Sequence, residues 1–268
     1  MLLWDLQSGD SPLLVNVPHA GRFVPDAIRL RFTPAAEALA DTDWHVERLA
    51  RVAPSMGVTL LVATHSRYVV DVNRDPSGRA LYAGADNTEL CPLRTFANEA
   101  IYRDGAGLSA SEIAARRAVY FDPYHERLRR ELARLHVLHG HVVLFDLHSI
   151  KSRVPRFFEG RLPDLNLGTA SGASCSASLR EAALHLCADA TGFTHVADGR
   201  FKGGYITRHY GSPQSGFHAL QLETAQSAYM EEEPPFPWDG SRASRFAALL
   251  ERLLVALSEW RPASRSSS

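Results

Sequence analysis

Two histidines in this chain each follow an apolar run, a placement that suits metal chemistry. His19 and Gly21 come after LLVNVP, residues 13–18, and His148 and Ser149 come after HVVLFDL, residues 141–147. Two neutral imidazoles and one carboxylate form a three-ligand zinc site that keeps a fourth position open for water. Asp43 is the preferred acid and Asp41 the second choice, since a helix is expected to start beside them. The spacing lacks the H-E-x-x-H signature, so the residues alone also allow hydrogen-bonding histidines that hold no metal. Asp146 precedes His148 by two residues and shares its strand face, where it either orients the imidazole or caps a loop. Glu223 closes the stretch LQLET, residues 220–224. A carboxylate there can take a proton from an attacking water; the position also suits a metal ligand or a salt bridge at the sheet edge.

Cationic side chains gather near the same segments. Arg67, Asn73 and Arg74 lie around DVNR, residues 71–74. A planar guanidinium matches a carboxylate through two parallel bonds, so these residues are candidates for holding a small acidic substrate. Asp71 and Arg74 can instead pair with each other and fix the turn. Lys202, Gly204, Tyr205 and Arg208 form a second candidate group shortly before Glu223. The paired Gly203 and Gly204 allow a close backbone approach, without completing a nucleotide-binding pattern. His125, in YHERL, is a weaker candidate for the site, set against a core or surface role. His136, His139 and His141 read as an exposed set around a helix end. Ser149 lacks the G-x-S-x-G elbow, and Cys91 has no neighbouring base to activate it.

An alternation of strands and helices must position these groups. Strands are expected at 13–21, whose last residues enter a loop, and at 58–63, 68–72, 141–149, 193–196 and 218–224. Helices are expected over Asp43–Met56 with Thr42 or Asp41 as cap, from Ser109 with Glu112 completing a capping box, over Ser178–Ala190 and over Ser241–Trp260. Pro123 should break or restart the second of these, which resumes at Tyr124 and ends at Gly140. The segment 199–213 reads as an ordered polar loop. The pattern predicts an α/β fold with a mostly parallel or mixed central sheet and helices on both faces. Ligands of such sheets bind beyond the carboxyl ends of the strands, where His19, His148 and Glu223 are expected. We read residues 1–262 as a single hydrolytic domain, 75–108 as a lid excursion and 263–268 as a frayed tail.

The whole chain has 268 residues and 29 basic against 30 acidic side chains, for a net charge of -1. That balance excludes a protein built mainly to neutralise nucleic-acid phosphates. With 45% hydrophobic residues the composition is ordinarily globular, and a chain of this length needs no disulfide or structural metal to fold. The three widely spaced cysteines suggest no disulfide framework, which favours a reducing, cytoplasmic setting. No signal peptide and no apolar run long enough to span a membrane is expected. The expected partner is a small molecule, with no nucleic acid and no membrane; the oligomeric state is left open.

Several segments in order carry a more specific signal: NVPHAG around His19, DTDWH around Asp43, SRYVVDVNRDPSG at 66–78 and YH at 124–125, then DLHS around His148, GRFKGGYITRHYG at 199–211 and LQLET around Glu223. Together they make the chain resemble the N-formylglutamate amidohydrolase (N-formylglutamate deformylase) family from about Leu13 to Tyr229. That family is similar in sheet architecture to zinc-dependent carboxypeptidases and aspartoacylases. The resemblance therefore implies a zinc-exopeptidase-like (phosphorylase/hydrolase-like) fold and one divalent metal, Zn2+ by preference. It implies His19 and His148 as ligands and Glu223 as general base. The peptidases carry an acid three residues after the first histidine; here that position is Arg22, so Asp43 must supply the third ligand. The implied reaction is hydrolysis of N-formyl-L-glutamate to L-glutamate and formate in histidine degradation. Arg74 is the cation that would aid the metal in stabilising the oxyanion, and Arg67, Arg74 and Arg208 would hold the substrate carboxylates. A metal-dependent amidohydrolase for another N-acyl amino acid is the nearest alternative, because one methyl group changes discrimination by only about 1–3 kcal/mol. An inactive small-acid binding protein is the other.

Overall fold

A computed structural model describes residues 1–81, 84, 86–103 and 107–263. Its strands are β1 (Trp4–Gln7), β2 (Leu13–Val17), β3 (Thr59–Ala63), β4 (Val142–Ile150), β5 (Leu165–Gly168), β6 (His195–Ala197) and β7 (Phe217–Ala225). They form one sheet in the order β1-β3-β2-β4-β7-β5-β6. The central β3, β2, β4 and β7 run parallel, while β1 and β5 pair antiparallel to β3 and β7. The sheet is thus mixed, with a parallel centre. β1 and β5 were not expected from sequence; both are only four residues long.

The helices are α1 (Asp26–Arg29), α2 (Pro34–Glu37), α3 (Val46–Ala50), α4 (Ala110–Arg116), α5 (Asp122–His139), α6 (Ala177–Ala188), α7 (Tyr205–Tyr210) and α8 (Gly240–Glu259). Successive strand residues face opposite sides. Val15, Val143, Phe145, Leu220 and Leu222 therefore pack with Leu49 of α3, Leu179 of α6 and Phe246 and Leu250 of α8. Leu14, Val142, Leu144 and Ala219 pack on the other side with Tyr124, Leu128, Leu132 and Leu135 of α5 and Ile206 of α7. Those four α5 residues recur at helical spacing, so one stripe is buried. Emptying it by Leu132→Ala would cost about 2–5 kcal/mol.

Several elements depart from expectation. The helix expected at 43–56 is only α3 followed by a 3-10 turn at Ala53–Met56. His45 sits in the left-handed region at φ 66°, which delays the start, and Pro54 tightens the end. Neither Thr42 nor Asp41 caps it; Asp41 instead accepts the Phe96 N–H at 2.8 Å. Residues 68–72 are turns rather than a strand. Their valines divide between two clusters, Val69 in one and Val70 and Val72 in another, so their pattern reflects burial without pairing. Pro123 does not break the helix: residues 117–121 form a π turn that joins α4 to α5, and the widened turn absorbs the missing N–H. Ser109 caps α4 by accepting the Glu112 N–H, while the Glu112 carboxylate pairs with Arg31 and Arg116 instead of returning to the cap. The polar loop at 199–213 contains α7.

The described part of 75–108 has no strand and no α-helix of its own. It is tied down by Ile101 and Tyr102, which pack with Phe32 and Tyr68. The tail expected at 263–268 lies, apart from Ala263, outside the described residues. Among the described residues no helix is long and apolar enough to cross a membrane.

Candidate metal centre

Strand register brings the polar residues of β4 and β7 together: Asp146 stands opposite Gln221, and His148 opposite Glu223. All four share the face that carries Val142 and Leu144. His148 and Glu223 lie inside their strands, two residues before the carboxyl ends. β2 ends at Val17 and releases His19 into a turn, where the His19 carbonyl accepts the Asp43 N–H at 3.1 Å. This backbone bond carries Asp43 to the end of the sheet.

His19, Asp43 and His148 each offer a ligand atom, and these atoms lie within 4.8 Å of one another. All three residues are buried. His19 Nε2 is 2.7 Å from Asp71 Oδ1. A carboxylate only accepts, so Nε2 bears the hydrogen and the Nδ1 lone pair is exposed to the cluster. That Nδ1 and Asp43 Oδ1 have no hydrogen-bond partner. His148 is arranged likewise, with Nε2 2.9 Å from Asp146 Oδ2 and Nδ1 3.2 Å from Asp43 Oδ2. Each imidazole thus turns Nδ1 inward and Nε2 to a carboxylate, the arrangement of metal-ligating histidines. Asn16 and Tyr124 extend the support: Tyr124 donates to Asn16, and Asn16 donates to Asp146 at 2.7 Å.

The electrostatics also call for a cation. Burial pushes the Asp71 carboxyl up, but Arg67, His19 and Arg74 outweigh it and hold it well below the usual range. Burial likewise opposes ionisation of Asp43, and His148, His19 and Arg67 reverse the shift. Burial disfavours a charged His148, yet Asp146, Asp43 and Glu223 pull its pKa well above the ordinary histidine value. Burial raises Glu223 to about 8, with His148 opposing. Three acids around one imidazole leave negative charge that a proton or a metal ion must balance. The orphaned His19 Nδ1 and Asp43 Oδ1 are donors of the kind a divalent ion takes, so the residues fit such an ion.

A cavity opens above this floor, lined by His19, His148, Gln221 and Glu223 below and by Arg67, Asn73, Arg74 and Gly204 beside them. Leu81, Asp86, Asn87, Thr88 and Phe96 contribute from the excursion, and Phe157, Arg200 and Phe201 from the segments that follow β4 and β6. Asn73 Nδ2 comes within 3.1 Å of His148 Nε2, and Asn73 Oδ1 accepts the Ile206 N–H. Gly204 makes that approach achievable, since a Cβ there would lie 2.3 Å from Asn73 Nδ2. Arg74 reaches Thr88 Oγ1 at 2.7 Å and lies 3.9 Å from Asp71.

Some expected site residues lie elsewhere. Arg67 borders the cavity, but its guanidinium is bound to Asp71 at 2.6 Å and lies 3.7 Å from Asp43, so it serves the floor's acids. Tyr205 and Arg208 line a neighbouring hollow with Asp75, Arg79 and His209, because α7 turns them away from the cavity. Lys202 is exposed and does not line the cavity. His125 packs on Phe121 and Tyr210 and bonds to Val72 O and Tyr210 Oη, away from the centre. Arg22 points outward, 3.9 Å from Glu47. The sequence reading missed the role of Asp71, and it missed Gln221 and Arg200 altogether. Strand alternation could have found Gln221, which shares a face with Glu223; Arg200 carries no local signal.

A profile of the family described as N-formylglutamate amidohydrolase matches residues 11–230. The N-formylglutamate deformylases of Pseudomonas putida and Pseudomonas aeruginosa are 46% and 45% identical over 252 residues, 94% of this chain and 94% of each of theirs. The crystal structure of N-formylglutamate amidohydrolase from Ralstonia eutropha aligns with a TM-score of 0.80 at 25% identity, covering 97% of this chain and 98% of that one. The shared architecture is an α/β fold with helices flanking the central sheet.

Proposed function

The chain belongs to the N-formylglutamate amidohydrolase family, and from that premise we propose that its site hydrolyses N-formyl-L-glutamate to L-glutamate and formate in histidine degradation. The observation that carries this reading is the buried His19, Asp43 and His148 cluster beside Glu223, at the base of a cavity that also holds Arg74. His19 and His148, through Nδ1, and Asp43, through its carboxylate, would hold the metal, a zinc ion in this reading. When bound, the ion would polarise the formyl carbonyl and acidify water at the site.

The chain's own residues do the rest. The Glu223 carboxylate accepts a proton from the attacking water, whose oxygen joins the formyl carbon, and returns it to the amine nitrogen as the C–N bond breaks. Burial favours this exchange, because the raised pKa of Glu223 suits a group that must both take and give a proton. Asp71 and Asp146 fix the two imidazoles. Arg74 holds a substrate carboxylate near the floor and stabilises the developing oxyanion, and Asn73 is kept beside it by Gly204. In this reading residues 1–262 act as one hydrolytic domain, with described residues of the 75–108 excursion such as Leu81, Thr88 and Phe96 bordering the cavity; it is related to the zinc exopeptidases in its sheet and works in the cytoplasm.

The test is to supply N-formyl-L-glutamate and N-acetyl-L-glutamate to metal-loaded protein and to quantify released glutamate with formate or acetate. Equal amounts of glutamate and formate, with slower release from the acetyl compound, are expected. No turnover of the formyl compound would overturn the assignment.

A further inference from the structure

Resting on the deformylase reading, we propose that Arg200 determines substrate specificity by receiving the side-chain carboxylate of the substrate on the outer wall of the cavity. A doubly acidic substrate presents two carboxylates. One sits on the carbon that bears the formylated nitrogen, and the other is two methylene groups further away. The first must stay close to the reacting carbon and the second must reach outward. Each needs a cationic partner to replace its hydration.

Among the described residues three guanidinium groups line the cavity: Arg67, Arg74 and Arg200. Arg67 is buried among the floor's acids, with Nη2 2.6 Å from Asp71 and Nη1 on the Asp41 carbonyl. Arg74 adjoins the floor as well, following Asn73, whose amide approaches His148, and lying 3.9 Å from Asp71. It is therefore placed for the inner carboxylate. Arg200 comes from the segment between β6 and α7. Its Nε donates to the Phe157 carbonyl at 2.7 Å, and its guanidinium lies 6.0 and 5.4 Å from the rings of Phe157 and Phe201. Those rings pack with Phe96 and Ile150 in a small apolar cluster. A guanidinium oriented among aromatic rings meets a carboxylate where water screens it poorly, which strengthens the pair. Asp86, which also lines the cavity, would repel a dianion. Arg156 grips both its oxygens, at 2.8 and 3.0 Å, and so cancels that charge.

The experiment compares N-formyl-L-glutamate with N-formyl-L-glutamine, whose side chain has the same shape without the charge, in the metal-loaded wild type, Arg200→Ala and Arg200→Gln. For both variants kcat/KM toward the acid should fall about 100-fold, the usual loss for a charge-assisted pair, chiefly through KM. Toward the amide it should change by less than about threefold, so discrimination between the two collapses. An equal loss on both substrates would overturn the proposal, because it would mean a structural or inner-carboxylate role. Unchanged discrimination in Arg200→Gln would overturn it too, even if Arg200→Ala failed to fold. Failure of the wild type to release formate from either compound would instead overturn the deformylase reading on which the proposal stands.

Discussion

His148 and Glu223 stand on neighbouring strands whose register pairs them across β4 and β7, whereas Arg74, Asp86, Thr88 and Arg200 reach the same cavity from backbone outside any strand or helix. The strands that carry His148 and Glu223 have ladder partners on both sides and helices packed on both faces of the sheet, and a backbone bond ties Asp43 to His19. The wall is fixed by side-chain contacts such as Arg156 with Asp86 and Arg74 with Thr88. A sheet holds catalytic groups to tight tolerances, while irregular backbone can vary without disturbing the sheet. In the proposed mechanism bond breaking falls to the floor and to Arg74 beside it, and substrate identity to the rest of the wall.

Changes to the floor should therefore reduce turnover or metal affinity, and changes to the wall should raise KM. The largest effect is expected from Glu223→Gln, which keeps the shape but removes the base. It should lower kcat by roughly 10²- to 10⁴-fold with bound metal unchanged, as measured by metal analysis alongside formate release. Next come Asp71→Asn and Asp146→Asn, which remove the carboxylates behind His19 and His148. Each should weaken metal binding by about 10- to 100-fold in a chelator competition. Arg74→Ala should raise KM about tenfold or more, lower kcat as well through the lost oxyanion partner, and leave metal affinity intact. A floor-like loss of metal in that variant would erase the distinction. The smallest effect is expected from Asp86→Ala, because the pair with Arg156 is partly exposed and such pairs contribute about 1 kcal/mol or less. KM should shift by a few-fold at most in steady-state kinetics.

The same division explains what could be recognised in advance. His148 and Glu223 follow the mostly apolar stretches VVLFDL and ALQL, and such stretches of strand length specify buried strands. His19 sits where one of those runs ends. Asp43 was legible only as an acid near a helix start, and the structure joins it to the cluster through a backbone bond to His19. Asp71 was obscured because its valine-rich neighbourhood imitates a strand, although the segment is a set of turns. Tyr205 and Arg208 border the adjoining hollow, because the segment that the sequence suggests is a loop forms α7 and helical rotation carries them there. The wall is assembled from segments distant in sequence, such as Arg156 on Asp86 and Arg200 beside Phe157. No local period encodes those contacts.

The central claim is that His19, Asp43 and His148 hold a divalent ion on which hydrolysis depends. It is tested most directly by measuring formate release against metal content as the ion is stripped by chelator and restored with zinc. Activity should fall and return in proportion to bound metal, reaching its maximum at about one ion per chain, and His148→Ala should neither retain the ion nor recover. Full turnover by protein verified to be metal-free would contradict the account.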